Sequence, residues 1–183
     1  PETAILVTRF LTESGVGEVI DFMPIASTKV ASAQHQLVRM IRCVRGEITF
    51  AVDIAPRFDF GRESHETHVS EDGVVFRGPR SAMSLSIVRE PDDARLARVA
   101  QASGQDLNIE LTLTAGQMRG LVLETGEPRP PRQYRVDEVW QLFNDTVRFW
   151  RSWLAKSTYT GRWRETLERS AITLKLMTYA PSG

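Results

Sequence analysis

Residues 36–54, QLVRMIRCVRGEITFAVDI, decide the fold. Successive side chains on a strand point to opposite faces. In the second half of this stretch Ile48, Phe50, Val52 and Ile54 share one face, and Glu47, Thr49, Ala51 and Asp53 share the other. Such alternation predicts a strand with one face on a core and one nearer water. The first half, residues 36–44, is also strand-like, and Arg45-Gly46 reads as a break between the two. The same period continues outward. Residues 4–11 and 18–25 flank Glu13-Ser14-Gly15-Val16-Gly17, which predicts a hairpin. Val69 leads through Asp72-Gly73, a favoured tight turn, into Val74-Val75-Phe76. Met83, Leu85 and Ile87 alternate with Ser84 and Ser86. Leu107, Ile109, Leu111 and Leu113 alternate with Asn108, Glu110 and Thr112, and Ala115-Gly116 turns the chain into residues 118–124. Roughly eight to ten short strands at regular spacing predict a mainly β chain, an antiparallel sandwich and not a βαβ fold.

Pro128, Pro130 and Pro131 then interrupt the backbone and predict a stiff linker. Beyond it the period changes to that of a helix. Asp137 reads as N-cap, with Glu138 in the first turn. Val139, Leu142, Phe143, Thr146, Val147, Trp150 and Leu154 form its apolar stripe. Tyr159-Thr160-Gly161 separates this helix from a terminal one, for which Thr160 reads as N-cap. Trp163, Leu167, Ala171, Leu174 and Thr178 make one face of it, and Ile172, Leu176 and Tyr179 a second apolar face. A helix apolar on most sides expects burial on most sides. The segment is therefore expected to fold back on the sandwich, to form a homodimer, or to swap between copies. It also suggests a piece of a larger protein. The expected organisation is a sandwich truncated at its front over 1–127, a proline linker and linker helix over 128–160, and a further helix over 161–183.

A chain of 183 residues, 42% of them hydrophobic, suffices for one domain or one domain with an appendage. Lys+Arg and Asp+Glu are 23 each, so no net charge draws it to nucleic acid or an anionic membrane. The single Cys43 excludes an intramolecular disulfide and suits a reducing compartment, which points to the cytoplasm. No apolar run is long enough to span a bilayer, and the first residues lack signal-peptide form.

His65 and His68, with Glu63 and Glu66 nearby, raise the question of a metal. On a strand an odd separation puts the two rings on opposite faces, so the pair reads as a solvated loop and no metal is expected. His35 is isolated in a polar segment. The stretch Pro56-Arg57-Phe58-Asp59-Phe60-Gly61-Arg62 is denser in functional groups. In one reading it faces a sugar or another domain, with Arg57, Asp59 and Arg62 as the interface candidates. In the plainer reading an Arg–Asp pair anchors the loop and both phenylalanines lie in the core. Trp140, Trp150, Trp153 and Trp163 read mostly as packing residues between helix and sandwich. Asp145, Glu165 and Glu168 are helix carboxylates, the last two among Arg162, Arg164 and Arg169, where ion pairs would lower their pKa values. No G-x-S-x-G, phosphate loop or dinucleotide fingerprint occurs, and Cys43 has no paired histidine. The residues therefore show no catalytic constellation and call for no cofactor.

Several stretches, in order, resemble the bacterial glucoamylase- and trehalase-like proteins of glycoside hydrolase family 15. They are Val19-Ile20-Asp21-Phe22-Met23-Pro24, Leu37-Val38-Arg39, Arg45-Gly46-Glu47 and Ala55-Pro56-Arg57-Phe58-Asp59-Phe60-Gly61-Arg62. Further on come Val74-Val75-Phe76-Arg77-Gly78, Phe149-Trp150-Arg151-Ser152-Trp153-Leu154, Gly161-Arg162-Trp163-Arg164 and Arg169-Ser170-Ala171, and then Leu174-Lys175-Leu176 and residues 178–183. The resemblance implies a parent with an N-terminal β-supersandwich, a helical linker and a C-terminal (α/α)6 barrel, of which residues 161–183 would be the first helix. It implies hydrolysis of α-glucosidic bonds with inversion by two barrel glutamates that have no counterpart here. The chain would then be a non-catalytic accessory domain whose partner is the rest of its own catalytic domain, meeting an α-glucosidic saccharide only through the full-length enzyme. Tyr179, Ser182 and Gly183 would lie nearest the sugar. A free-standing β-sandwich that binds carbohydrate or protein is the alternative.

Overall fold

The computed structural model describes residues 2–25, 35–88, 100–103, 105–126 and 130–178. Nine strands and two helices follow in order: β1 Leu6–Leu11, β2 Gly15–Phe22, β3 His35–Ile54, β4 Glu66–Val69, β5 Gly73–Arg77, β6 Ala82–Val88, β7 Ala100–Ser103, β8 Asp106–Thr114, β9 Met118–Thr125, α1 Val136–Leu154 and α2 Arg164–Leu176. All the strand ladders among the described residues are antiparallel.

The opening stretch organises everything. The expected break at Arg45-Gly46 is a bend inside a single 20-residue strand. Gly46 takes φ +70, a left-handed conformation that costs an L side chain about 1–2 kcal/mol. Before the bend β3 lies between β2 and β9. After it β3 leaves that layer and pairs with β8. One layer runs β1-β2-β3-β9-β6-β5-β4, and the other is the far half of β3 with β8 and β7. Ile48 and Val52 of β3 and Leu107, Ile109 and Leu113 of β8 pack on Ile41, Val74, Phe76, Leu85, Ile87 and Leu121 of the larger layer. This is the antiparallel sandwich read from the sequence, with β3 shared by both sheets.

The larger sheet is covered on its other side too. Val139 of α1 is fully buried against Ile20, Phe22, Val38, Met40, Val88 and Val122. Phe143 meets Phe22 edge to face, with ring centroids 5.8 Å apart. Double coverage explains Ser84 and Ser86, both fully buried although polar. The backbone N–H of Arg132 donates to the Ser86 hydroxyl at 3.2 Å, and that of Tyr134 donates to the Ile87 carbonyl at 2.8 Å. The chain leading into α1 is thereby laid along β6. Both helix starts differ from expectation. The N-cap of α1 is Arg135, and Asp137 lies inside the first turn. Glu138 instead accepts the Arg135 N–H at 2.8 Å. α2 begins at Arg164 after Trp163, so Thr160 does not cap it. It packs through Ile172 on Trp150 and Leu154 of α1, with Ala4 alongside.

Glu18 shows how this fold manages charge. It is 2% exposed on β2. Arg9 of β1 donates twice to its Oε1, at 2.9 and 2.5 Å. Arg42 of β3 donates to its Oε2 from Nε at 2.8 Å and from a terminal nitrogen at 2.5 Å. The Arg9 hydrogen bonds hold the carboxyl below the usual 4.5, against burial and with help from Arg42. A depressed carboxylate contributes stability that is present above its unfolded pKa and is lost as pH falls through the folded one. Stability should therefore be level from neutrality to about 4.5 and fall below it, by urea denaturation at stepped pH. Glu18→Gln should flatten that acid limb; an unchanged limb would remove Glu18 from the account.

Candidate functional site

The loop of residues 56–63, leaving the end of β3, is tightly constrained. Asp59, Phe60 and Gly61 take φ values of +47, +58 and +82, three left-handed residues in succession. For a bulky residue such as Phe60 that conformation is strained, and it persists only where the surroundings over-determine it. They do so here. The N–H groups of Gly61 and Glu63 both donate to the Phe58 carbonyl, at 2.9 and 3.3 Å, and that of Arg62 donates to the Asp59 carbonyl at 3.1 Å. Arg62 pairs with the Asp59 carboxylate at 2.9 Å, and Arg80 donates to Glu63 at 2.6 Å and to Asp59 at 3.4 Å. Phe58 packs against the sandwich core. Phe60 is 93% exposed, with the Arg62 guanidinium 5.7 Å from its ring centroid.

The plainer sequence reading holds for the ion pair, which is Arg62 with Asp59, and needs one correction. Arg57 pairs outside the loop, in a two-pronged contact with Asp106 at 2.6 and 2.9 Å. That guanidinium holds the Asp106 carboxyl below the usual carboxylate range. Only Phe58 of the two phenylalanines is inside. Phe60 faces water because the left-handed turn points it outward, which no propensity in the sequence announces. Phe60→Gly is expected to raise stability by about 1 kcal/mol in chemical denaturation, since glycine relieves the left-handed strain and no core contact is lost. A loss instead would assign the ring to the fold.

His65 departs from the solvated reading. It is 6% exposed and sits between Phe58 and Phe76, at ring distances of 5.3 and 5.7 Å. Its Nε2 meets the Gln105 carbonyl at 2.8 Å, which the Thr67 hydroxyl also reaches at 2.9 Å. His68, on β4, is exposed beside Glu66. Among the described residues no three His, Cys, Asp or Glu side chains gather to hold a metal. Nor is any described helix long and apolar enough to cross a membrane.

The other candidates separate. Tyr179, Ser182 and Gly183 lie outside the described residues. Trp140 stacks edge to face on Phe143 at 5.3 Å over the larger sheet, whereas Trp150 is buried between the two helices, not on the sandwich. Trp163 is 59% exposed. Glu168 pairs with Arg164 at 2.6 Å, and Asp145 with Arg148. Cys43 is buried, its thiol donating to the Arg45 and Gly46 carbonyls. A cavity of about 520 Å³ opens between the α1 N-terminus and the sheet, lined by Arg42, Gln117, Met118, Arg119 and Trp140. It has the size of a ligand pocket, but its Arg42 is already engaged by Glu18. Sequence reasoning missed Arg80, which joins the β5–β6 turn to the loop of residues 56–63, and the Arg9–Glu18–Arg42 clamp across β1, β2 and β3, because strand register decides which charges meet.

No family model matches this chain. It is similar to the trehalase of Mycolicibacterium smegmatis, 29% identical over 157 residues that cover 82% of this chain and 22% of that protein. It is similar to the trehalase of Thermoplasma acidophilum at 24% identity over 185 residues, 99% of this chain and 29% of that protein. Among solved structures, a putative kojibiose phosphorylase from the human microbiome matches at a TM-score of 0.41 and 8% identity, covering 94% of this chain and 23% of that one. That likeness is too slight to bear on the fold. The chain is a mainly β domain with two C-terminal helices, similar in sequence to these trehalases. Its resemblance to the trehalase-like proteins of glycoside hydrolase family 15 holds in these relatives. It spans between a fifth and three tenths of the length of the curated trehalases it matches.

Proposed function

We propose that this chain is the accessory domain of an inverting α-glucoside hydrolase and is not catalytic by itself. Residues 1–127 form its sandwich, 128–160 its linker and linker helix, and 161–183 the first helix of an (α/α)6 barrel. The relation to trehalases along 82–99% of the chain, at only 22–29% of their length, carries this reading. Trehalose is the first substrate to consider, because the relatives are named for it. The rest of the catalytic domain is the partner, and the saccharide is met only through it. A cytoplasmic location fits the single thiol, Cys43.

The electrostatics support a supporting role. Inverting hydrolysis needs two carboxyl groups across the sugar, about 6.5–9.5 Å apart, one of them with a raised pKa. Glu18, Asp106, Asp137 and Glu138 are all pushed the other way. The first three are lowered chiefly by Arg9, Arg57 and Arg135, and Glu138 by the Arg135 backbone N–H. In this reading residues 56–63 face the barrel, with Arg57, Asp59 and Arg62 at the interface, and Tyr179, Ser182 and Gly183 approach the sugar. The purified chain incubated with trehalose or maltose should release no glucose above a buffer blank. Release that scales with the chain's concentration would refute the reading. Saturable binding of either sugar near 1 mM, about −4 kcal/mol, would favour a free-standing carbohydrate-binding module.

A further inference from the structure

The smaller layer is open along one edge. Past the bend, residues 47–54 of β3 pair with β8 on one side. Their other side continues the edge that β2 occupies before the bend, and β2 begins only at Gly15. There the Glu47 N–H donates to the Ser14 carbonyl, whereas the Gly46 carbonyl accepts the Ala115 N–H from the β8 side. Main-chain groups alternate sides along a strand. The N–H and C=O groups of Thr49, Ala51 and Asp53 therefore point away from β8. All three residues are exposed, and among the described residues no backbone group pairs with them on that side. The open edge runs along a groove of about 390 Å³, whose wall is residues 48–53 and whose floor includes Thr8, Phe10, Val19 and Asp21 of β1 and β2. We propose that a further β-strand, supplied by the same polypeptide from outside residues 1–183, docks in this groove and extends the smaller sheet from β3.

The chemistry of the groove specifies a strand. Three N–H groups and three carbonyls at alternate residues form one ladder edge, which another extended backbone satisfies in full. Strands lie about 4.8 Å apart within a sheet, and sheets pack about 10 Å apart. A strand added beside residues 48–53 therefore lies over β2 and β1. Those two strands are only partly faced by the smaller layer. Phe10 is 44% exposed although its ring meets Phe50 edge to face at 6.0 Å, and Leu6, on the same side of β1, is 61% exposed. Apolar side chains at alternate positions of the added strand would cover Phe10, Val19 and Phe50, and the positions between would face water. Asp21 is already matched by Arg39, at 2.7 and 2.9 Å, so the pair leaves no charge for the strand to neutralise. The inference rests on the longer polypeptide of the proposed function. The matched trehalases, of which this chain spans 22–29%, carry most of their length elsewhere and so have chain to supply. A strand tethered in the same molecule also meets the groove at a high effective concentration, which a free peptide lacks.

Hydrogen exchange of residues 47–54 tests this in two proteins, residues 1–183 and the product of the whole reading frame. In residues 1–183 the amides of Ile48, Phe50, Val52 and Ile54 are held by β8, and those of Thr49, Ala51 and Asp53 should exchange at nearly open-chain rates. In the longer protein these three should slow by about 100-fold or more. Ala51→Pro removes the central donor of the edge and no bond to β8, at a position where an edge strand tolerates proline. It should leave the far-UV spectrum of residues 1–183 unchanged and, in the longer protein, return Thr49 and Asp53 to fast exchange. If that variant unfolds, the wild-type comparison decides alone. Three fast amides in a longer protein that releases glucose from trehalose would overturn the inference and leave the proposed function in place. Protection that a folded Ala51→Pro variant leaves untouched would overturn it too. So would protection of the three amides in residues 1–183, which would assign the edge to a second copy if it grew with concentration. A reading frame with nothing outside residues 1–183 would remove both readings.

Discussion

Gly46→Val should lower stability by about 3 kcal/mol or more, from left-handed strain plus the displacement of packed neighbours. Gly46 holds φ +70, and a side chain there would press on the Ser14 carbonyl and Gly15. Those groups cannot move cheaply. Ser14 accepts the Glu47 N–H at 3.1 Å, and the Gly46 carbonyl accepts the Ala115 N–H at 2.9 Å. The bend is therefore fixed from the β1–β2 turn on one side and the β8–β9 turn on the other. It is also where β3 passes from one layer to the other. Gly116 supplies the control. Its φ is +87, but nothing lies within 4 Å of where a side chain would begin. Gly116→Ala should cost only the conformational strain, about 1 kcal/mol. Urea denaturation of both variants separates steric pressure at the bend from left-handed strain alone. Equal costs would remove the special role of Gly46.

Trp150→Ala should cost about 3–5 kcal/mol, the range for emptying a large buried aromatic site. Trp150 is 3% exposed and joins α1 to α2 through Ile172 and Leu154. It meets Phe149 and Trp153 edge to face at 5.4 and 6.0 Å. Beyond this cluster, Arg169 of α2 donates to the Thr3 carbonyl at 3.3 Å, an exposed contact that contributes little. Hydrogen exchange in the variant should show α2 amides losing protection before those of β3 and β9. Trp163→Ala, at an exposed position, should change stability by no more than about 0.5 kcal/mol. A small effect of Trp150→Ala would mean that α2 is held by something other than this cluster.

The strands were legible where period and turn chemistry agreed. Residues 47–54 alternate cleanly because one face meets the core and the other water. Asp72-Gly73 marked the β4–β5 hairpin, although Glu71-Asp72 form its centre, with the Ser70 N–H donating to the Gly73 carbonyl at 2.8 Å. Ser84 and Ser86 misled, because their alternation with apolar residues suggests a wet face, and α1 with its approach segment covers that face. Whether a face is covered is a tertiary fact. Gly46 read as an interruption because a glycine between two strand patterns marks a turn and a bend alike. The helix caps failed for a related reason: Asp137 and Thr160 have the right chemistry, but the neighbouring backbone places the helix starts at Val136 and Arg164. In the loop of residues 56–63 the charged partners were visible as types and not as pairs. Arg57 crosses to Asp106 and Arg80 returns to Asp59, contacts set by strand order. The relation to trehalases was legible in the ordered motifs, each too short to carry it alone.

The proposed function requires this chain to be one part of a glycosidase. The reading frame that encodes it, followed past the codon for Gly183, tests that directly. The frame should continue for several hundred codons of helical periodicity, in proportion to the trehalases of which this chain spans 22–29%, and should supply two glutamates for inverting hydrolysis. A stop codon directly after Gly183 would contradict it.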